Sequence, residues 1–310
     1  MVVEVEGLVK RYDKLVALDY LDLQVEEGEI FGLLGPNGSG KTTAINCLLS
    51  LLKYDKGTIR IFGKTMTPNA YDIKKDIGII MQNVAVFDEL TVYENISYFC
   101  SLYIDDKEEI KRLTKEAIEF VSLEDYKSFY PKKLSGGLLR RLNIACGIVH
   151  KPNLIILDEP TVAVDPQSRN KILEGIRMLN RDGATIIYTS HYMEEVEQIC
   201  SNIAIIDKGR VIAKGTKEEL KAMISIGEKI SMEIFQLEEE SLDELRRLPN
   251  IYSVEHRENL LEIKSKKGKN NLVAVLEFMQ RMNISFGKVI TEVPTLNDVF
   301  LEITGKELRD

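Results

Sequence analysis

The stretch GPNGSGKTT at 35–43 constrains the fold more than any other part of the chain. It matches G-x-x-x-x-G-K-[ST] and stands between an apolar run, IFGLL, and a helical pattern, TTAINCLLSLL. A strand that turns into a helix through glycines lets backbone N–H groups converge on an anion at the positive end of the helix. The sequence therefore predicts a phosphate-binding loop built from Gly35, Asn37, Gly38, Ser39, Gly40, Lys41, Thr42 and Thr43. In such a loop Lys41 reaches the β- and γ-phosphates of a nucleotide, and the Thr42 hydroxyl ligates Mg²⁺.

Short β-branched runs then recur through the first two thirds of the chain: EIFGLLG, IGIIMQ, NLIILDEP, ATIIYTSH and NIAIIDKG. Continuous apolar runs of this kind are usually buried on both faces, which implies a mostly parallel sheet with helices on either side. Between IGIIMQ and NLIILDEP lie roughly 70 residues that read as helix, so an all-helical lobe is expected inside an α/β core. IDKGRVIAKG reads as a hairpin turning at Lys208-Gly209, and TKEELKAM as a helix opened by a capping box of Thr216 and Glu219. From Lys229 the pattern restarts as β-α-β-β-α-β plus a last helix, TLNDVFLEITGKEL, a small α+β domain of ferredoxin-like type. The expected domains are 1–225, with the lobe at about 90–150, and 226–310.

A length of 310 residues suits two such domains. The net charge of −8 argues against a protein that works by neutralising nucleic-acid phosphates, and KSKKGK at 264–269 reads as a solvated turn between a strand and a helix. Cys47, Cys100, Cys146 and Cys200 are far apart in sequence, so neither a zinc site nor a disulfide framework is signalled, and a reducing cytoplasm fits. No basic head precedes an apolar run and no uncharged apolar stretch of about 18 residues occurs, so the chain is not expected to cross a membrane by itself. The C-terminal third has no cluster of His, Cys or acidic residues, which points away from a second catalytic site and toward dimer contact or regulation.

Two further stretches carry chemistry. NLIIL delivers Asp158 and Glu159 at its carboxyl end, where ligands of open α/β sheets bind. Asp158 there can hold Mg²⁺ through water and Glu159 can polarise an attacking water; two solvated acids at a strand end are the alternative. KLSGGLLRRLNIACGI at 133–148 reads as a helix with Ser135 as its N-cap and its arginines on a solvated face.

A P-loop, then LSGG, then LDEP, then TSH, in that order, resembles the nucleotide-binding subunit of ABC transporters, and the resemblance covers residues 2 to about 225. It implies that Ser135, Gly136 and Gly137 form a second anion site, offered to the γ-phosphate of ATP on the partner protomer's P-loop. By position, Tyr12 matches the aromatic that stacks on adenine, with a strand-edge tyrosine as the alternative. Gln82 matches the glutamine that touches Mg²⁺ and the attacking water and couples nucleotide state to the membrane partner. Asp165 matches the loop that crosses the dimer interface, and also reads as the N-cap of a helix beginning PQSRNKIL. His191 matches the histidine that contacts the γ-phosphate.

Two departures stand out: Leu138 replaces the glutamine commonest after LSGG, and Ala163 replaces a frequent glycine or serine. Loss of the polar group at Leu138 is expected to weaken ATP-driven closure while leaving the phosphate-binding groups in place. EPTVAVDPQSRN, MEEVEQIC and PTLNDVFLEITGKELRD are similar to the ATPases of drug and antibiotic exporters, whose membrane part is a separate chain. The resemblance implies an ATP hydrolase using ATP and Mg²⁺, dimeric with itself or a related ATPase. Such a subunit sits at the cytoplasmic face of the cell membrane through permease subunits. A soluble ABC-type mechanical ATPase is the alternative; a sensing module without turnover is disfavoured by Glu159 and His191.

Overall fold

The computed structural model describes residues 1–235, 237–268 and 270–305, which fall into a unit from Met1 to Thr216 and a second unit beginning at Lys217. The first unit opens with the antiparallel strands β1 (Val3–Tyr12) and β2 (Leu15–Val25). β3 (Ile30–Leu34) then runs through the phosphate loop into α1 (Lys41–Leu48). β4 (Lys56–Ile61) and β5 (Lys64–Thr65) return to the first strands and complete a four-stranded antiparallel sheet in the order β2-β1-β4-β5. In β4, Ile59 and Ile61 are buried and Thr58 and Arg60 exposed, the alternation a half-buried strand requires.

A short α2 (Tyr71–Lys74) precedes β6 (Ile77–Ile80). The helical lobe follows as α3 (Val92–Ser101), α4 (Lys107–Phe120) and α5 (Gly136–Ile148). Each begins at a side chain that accepts a backbone N–H: Thr91 in a capping box with Glu94, Asp106, and Ser135. β7 (Leu154–Asp158), α6 (Pro166–Arg181), β8 (Thr185–Ser190), α7 (Met193–Ile199), β9 (Asn202–Asp207) and β10 (Arg210–Gly215) complete the unit.

The central sheet has the order β10-β9-β3-β8-β7-β6, parallel throughout except for the hairpin strand β10. Every residue of β3, β7 and β8 is buried, which is why those segments read as unbroken apolar runs. The strands β3, β8, β7 and β6 are adjacent and in register, with Leu34 beside Ser190, Thr189 beside Asp158, and Leu157 beside Ile80. Their carboxyl ends therefore form one edge. Gly35, His191, Glu159 and Gln82 all follow these strand ends within two residues.

The second unit contains α8 (Lys217–Met223), β11 (Ile226–Ile234), α9 (Glu239–Arg246), β12 (Ile251–Arg257), β13 (Leu260–Lys266), α10 (Leu272–Arg281), β14 (Phe286–Glu292) and α11 (Leu296–Thr304). Its antiparallel sheet has the order β12-β13-β11-β14, the strand order of a ferredoxin-like β-α-β-β-α-β unit. Ile230, Met232, Leu245, Val254, Ile263, Val275 and Phe278 form its core. α11 begins at a capping box of Thr295 and Asp298 and packs against α8. This contact groups α8 with the second unit, so the chain divides after Thr216, nine residues before the boundary expected from sequence at 225. The expected continuation of the last helix beyond Gly305, and Lys269 of the basic turn, lie outside the described residues.

Candidate active site

The phosphate loop leaves β3 at Gly35, which is buried against β9: a Cβ added there would stand 2.3 Å from the carbonyl oxygen of Ile206. Glycine is required by that approach. Ser39 is 3% exposed and Lys41 5%, while Asn37, Gly38 and Thr42 are exposed, with Gly40 and Thr43 between these extremes. Lys41 Nζ donates to the carbonyl oxygens of Gly35, at 2.7 Å, and Pro36, at 3.2 Å, and lies 3.2 Å from Glu159 Oε1. Ser39 N is held to Pro36 O, and Ser39 O accepts from Gly209 N in the β9–β10 turn. Gly209 O in turn accepts from Asp19 N of β2, so the hairpin whose far end carries Tyr12 is fastened beside the loop. Tyr12 is 45% exposed, with Lys10 Nζ 5.0 Å from its ring centroid.

Glu159 is the meeting point of the strand ends. Its Oε1 faces Lys41, while Oε2 lies 3.3 Å from His191 Nδ1 and 3.5 Å from Gln82 Nε2. The backbone of Glu159 is left-handed, with φ 48°, a conformation that costs a residue with a Cβ and is retained only where surroundings enforce it. Those surroundings are visible. Thr189 on β8 takes the Glu159 N–H on its hydroxyl at 2.9 Å and donates that hydroxyl to Asp158 Oδ1 at 2.6 Å. One threonine thus aims both acids, and the sequence reading missed it.

Arg140 is the second missed residue and corrects the expectation of a solvated arginine face on α5. It is 4% exposed and donates to four carbonyl oxygens: Met81 and Gln82 on one side, Glu159 and Pro160 on the other, all at 2.7–2.9 Å. Burial pushes its guanidinium below the usual arginine range, opposed first by the charge of Asp158. A planar fork with five donors is what so many converging carbonyls require. Arg141 is half-buried and donates to Val121 and Ser122 at the end of α4. Asn95 and Asn143 are also buried; Asn95 binds Phe87, Leu90 and Thr91, and Asn143 accepts from Ala85 N, so the segment after Gln82 is fastened to the lobe.

Ser135, Gly136 and Gly137 stand elsewhere. Ser135 and Gly136 are exposed at the head of α5, and Ser135 Oγ accepts from Leu138 N at 3.4 Å. Gly137 is buried against the start of α6: a Cβ there would lie 2.4 Å from Ser168 Oγ and 3.1 Å from Asp165 Oδ2. Asp165 caps α6 by accepting from Ser168 N at 2.9 Å, and that bond, followed by the Ser168 hydroxyl, holds its carboxyl below the ordinary aspartate range. The contacts of the glycine pair thus run to the Asp165 segment, not to Lys41 or Glu159.

Orphaned polar atoms show what the site fits. Asp158 is fully buried, and its Oδ2 has no hydrogen-bond partner among the described residues; neither has the buried Ser39 Oγ. A buried anionic oxygen without a donor fits a hydrated cation, and a lone hydroxyl beside converging loop amides fits a phosphate oxygen. The described residues hold no cluster of three His, Cys, Asp or Glu side chains able to cage a metal ion. One carboxylate with a hydroxyl and an amide is the sparse donor set of a Mg²⁺ shared with phosphates.

The sequence pattern that defines the ABC transporter family matches residues 18–162. The linearmycin resistance ATP-binding protein LnrL of Bacillus subtilis is 36% identical, over 99% of each chain. The daunorubicin/doxorubicin resistance ATP-binding protein DrrA of Streptomyces peucetius is 35% identical over 99% of this chain and 94% of its own. The Nod factor export ATP-binding protein I of Ralstonia nicotianae is also 35% identical, over 100% of this chain and 95% of its own. Among solved structures, an ATP-binding subunit of an ABC transporter superposes with a TM-score of 0.66 at 27% identity, covering 72% of this chain and 93% of its own. A dimeric ATP-binding cassette in a post-hydrolysis state with ADP and Pi superposes with a TM-score of 0.64 at 26% identity, covering 69% and 98%.

Proposed function

The chain belongs to the ATP-binding subunits of ABC transporters, and from that premise we propose that it is the motor of a drug or antibiotic exporter whose permease is carried on separate chains. It is an ATP hydrolase. Two copies close on two ATP molecules, hydrolysis opens them, and the motion drives the permease. The observation that carries the chemistry is the convergence of Lys41, Gln82 and His191 on the Glu159 carboxylate at the mouth of the phosphate loop.

In this reading the loop amides and Lys41 bind the β- and γ-phosphates, and Tyr12 supports the adenine. The γ-phosphate competes with Glu159 for Lys41, which frees the carboxylate. Glu159 then accepts a proton from the water whose oxygen attacks the γ-phosphorus as its bond to the bridging oxygen breaks and ADP leaves with that oxygen, while His191 holds the phosphate in line. Thr42, Gln82 and Asp158 are the residues that would hold Mg²⁺, which when bound offsets the charge that builds on the phosphate oxygens. The partner copy's Ser135, Gly136 and Gly137 donate to the same phosphate, and Asp165 lines the interface. The partner is either an identical chain or a related ATPase.

Export as the direction, and drugs or antibiotics as the cargo, are supported by the similarity to resistance and export proteins. No described helix is long and apolar enough to cross a membrane. We place the protein at the cytoplasmic face of the cell membrane, through its permease. A docking surface is offered by Phe87, 42% exposed, and Tyr98, 43% exposed, whose rings meet edge-on at 5.0 Å. Phe87 stands on the segment after Gln82 and Tyr98 on α3; Asn95 of α3 holds Phe87, and Arg140 holds Gln82 to Glu159, so a permease loop seated there would feel the nucleotide site.

Glu159→Gln tests this reading. The amide keeps the shape but accepts no proton, so hydrolysis should fall by about 10² to 10⁴. The protein should accumulate as a dimer with ATP that falls apart with ADP, and adding Ser135→Arg should prevent that dimer. Hydrolysis at the parent's rate would remove Glu159 from its role; a slow variant that stays monomeric with ATP would make closure depend on the permease.

A further inference from the structure

Glu195 on α7 is 3% exposed and takes no part in the chemistry above. Its Oε2 accepts three hydroxyls: Tyr188 at 2.7 Å, Thr161 at 2.8 Å and Ser190 at 3.1 Å. Its Oε1 lies 3.3 Å from Arg169 Nε. Tyr188 and Ser190 belong to β8, Thr161 to the turn after β7, and Arg169 to α6. Burial, reinforced by the Glu195 charge, pushes the Tyr188 phenol well above its ordinary range, so it stays protonated and donates.

His191 stands between two residues that lead back to this carboxylate. Ser190 binds Glu195 directly, and the same Ser190 hydroxyl accepts from Tyr192 N at 2.9 Å. The Arg169 guanidinium lies 4.8 Å from the centroid of the Tyr192 ring, which itself lies 4.1 Å from the ring of His191. From the other side, Thr161 and Arg169 flank the segment that ends at Asp165 and the cap of α6. A buried carboxylate is more costly to desolvate than an apolar side chain of similar volume, so stability alone gives no reason for one here.

We propose that Glu195 is a positioning residue for hydrolysis, tying the His191 segment to the Asp165 segment so that the γ-phosphate contact and the interface loop keep one relative placement. From α7, Glu195 gathers four groups from β8, α6 and the turn after β7; the Thr161 and Tyr188 hydroxyls also meet each other, at 3.4 Å. Loosening it lets His191 drift while the phosphate loop, built from other residues, keeps its hold on nucleotide. The proposal rests on the reading of His191 as the γ-phosphate contact.

The test is a double-mutant cycle on the full chain, measuring kcat and KM for ATP in the parent, Glu195→Gln, His191→Ala and the double variant. Glu195→Gln places an amide N–H₂ among three hydroxyl donors, and kcat should fall by about 10- to 100-fold, the cost of misplacing a group by about 1 Å, with KM nearly unchanged. In the His191→Ala background the same change should cost less than about twofold, because the residue it acts through is gone. If His191→Ala is slow and Glu195→Gln still takes its full factor, Glu195 is structural only and the proposal is overturned. If His191→Ala turns over as the parent does, the reading of His191 fails first and takes this proposal with it. Ser190→Ala cuts the branch of the link that runs to Tyr192, leaves the Glu195 carboxylate its Tyr188 and Thr161 donors, and serves in the same cycle if Glu195→Gln does not fold.

Discussion

In the first unit Lys41, Arg140, Asp158, Glu159 and Glu195 are each at most 6% exposed, whereas the buried polar side chains among the described residues of the second unit are Ser241, Ser265 and Asn271. The second unit keeps its ions near the surface: Lys229 and Glu262, 2.9 Å apart, retain 26% and 31% exposure. Its core of Ile230, Met232, Val254, Ile263, Val275 and Phe278 is apolar throughout, the arrangement that needs least desolvation. The first unit instead holds these five charged side chains inside, partnered by backbone carbonyls, hydroxyls and one another except at the open Asp158 Oδ2. Buried charge is hard to justify as a source of stability. It marks the unit whose buried groups converge on the candidate active site, and the second unit shows no such convergence among its described residues.

The sharpest way to break this contrast is to delete one cation from each unit. Lys41→Ala removes the cation that the proposed mechanism places on the phosphates, and ATP hydrolysis should fall by about 10² to 10³. Lys229→Ala removes half of a partly exposed pair, and should leave turnover unchanged and stability lower by about 1 kcal/mol at most. Initial rates of phosphate release and thermal melting of both variants are the measurements. Equal effects on hydrolysis would mean that burial does not separate the working charges from the structural ones.

The contrast was partly legible in the sequence. The five apolar runs mark strands β3, β6, β7, β8 and β9; in β3, β7 and β8 every residue is buried, and a strand covered on both faces has no polar positions to blur it. The phosphate loop and the two acids were legible for the same local reason: each is a short contiguous string at the end of such a strand. Arg140, Thr189 and Glu195 were not, because each gathers partners distant in sequence, such as Met81 and Pro160 for Arg140. A signal existed for Arg140. It shares a helical stripe at spacings of three and four with Gly137, Ile144 and Ile148, all buried, which is no place for a solvated arginine. The division after Thr216, nine residues before the boundary expected at 225, was not legible because the contact of α8 is with α11, at the far end of the second unit.

Arg140→Lys sharpens the comparison within the first unit, since it keeps the charge and removes the fork. A lysine ammonium cannot reach Met81, Gln82, Glu159 and Pro160 together, so one or two buried carbonyls lose their donors. Stability should drop by about 1–3 kcal/mol. Hydrolysis should fall with it, because the same carbonyls place Gln82 and Glu159. Arg257→Lys in the second unit, where the guanidinium is 78% exposed and its only described partner is Glu255, should shift melting within experimental error. A melting curve unchanged in Arg140→Lys would show that the lobe and the acids are held together by something other than this fork.

The smallest expected effect concerns Ala163, where the sequence departs from a frequent glycine or serine. Its φ is 59°, in the left-handed region, and the residue is exposed. A Cβ in that region costs about 1–2 kcal/mol, while a glycine loses more backbone freedom on folding, by roughly 0.5–1 kcal/mol. The first exceeds the second, so Ala163→Gly should stabilise the first unit by about 0.5–1 kcal/mol, raising its melting temperature by about 1–4 °C. Glu159, also left-handed at φ 48°, offers the contrast: Glu159→Gly relieves the same strain but removes the carboxylate that Lys41 and His191 face. If strain at both positions is real, both glycine variants melt higher than their alanine counterparts, yet only Ala163→Gly still hydrolyses ATP. A lower melting temperature for Ala163→Gly would mean that the turn between Thr161 and Asp165 is set by its hydrogen bonds and side-chain packing, and that the left-handed alanine carries no strain to release.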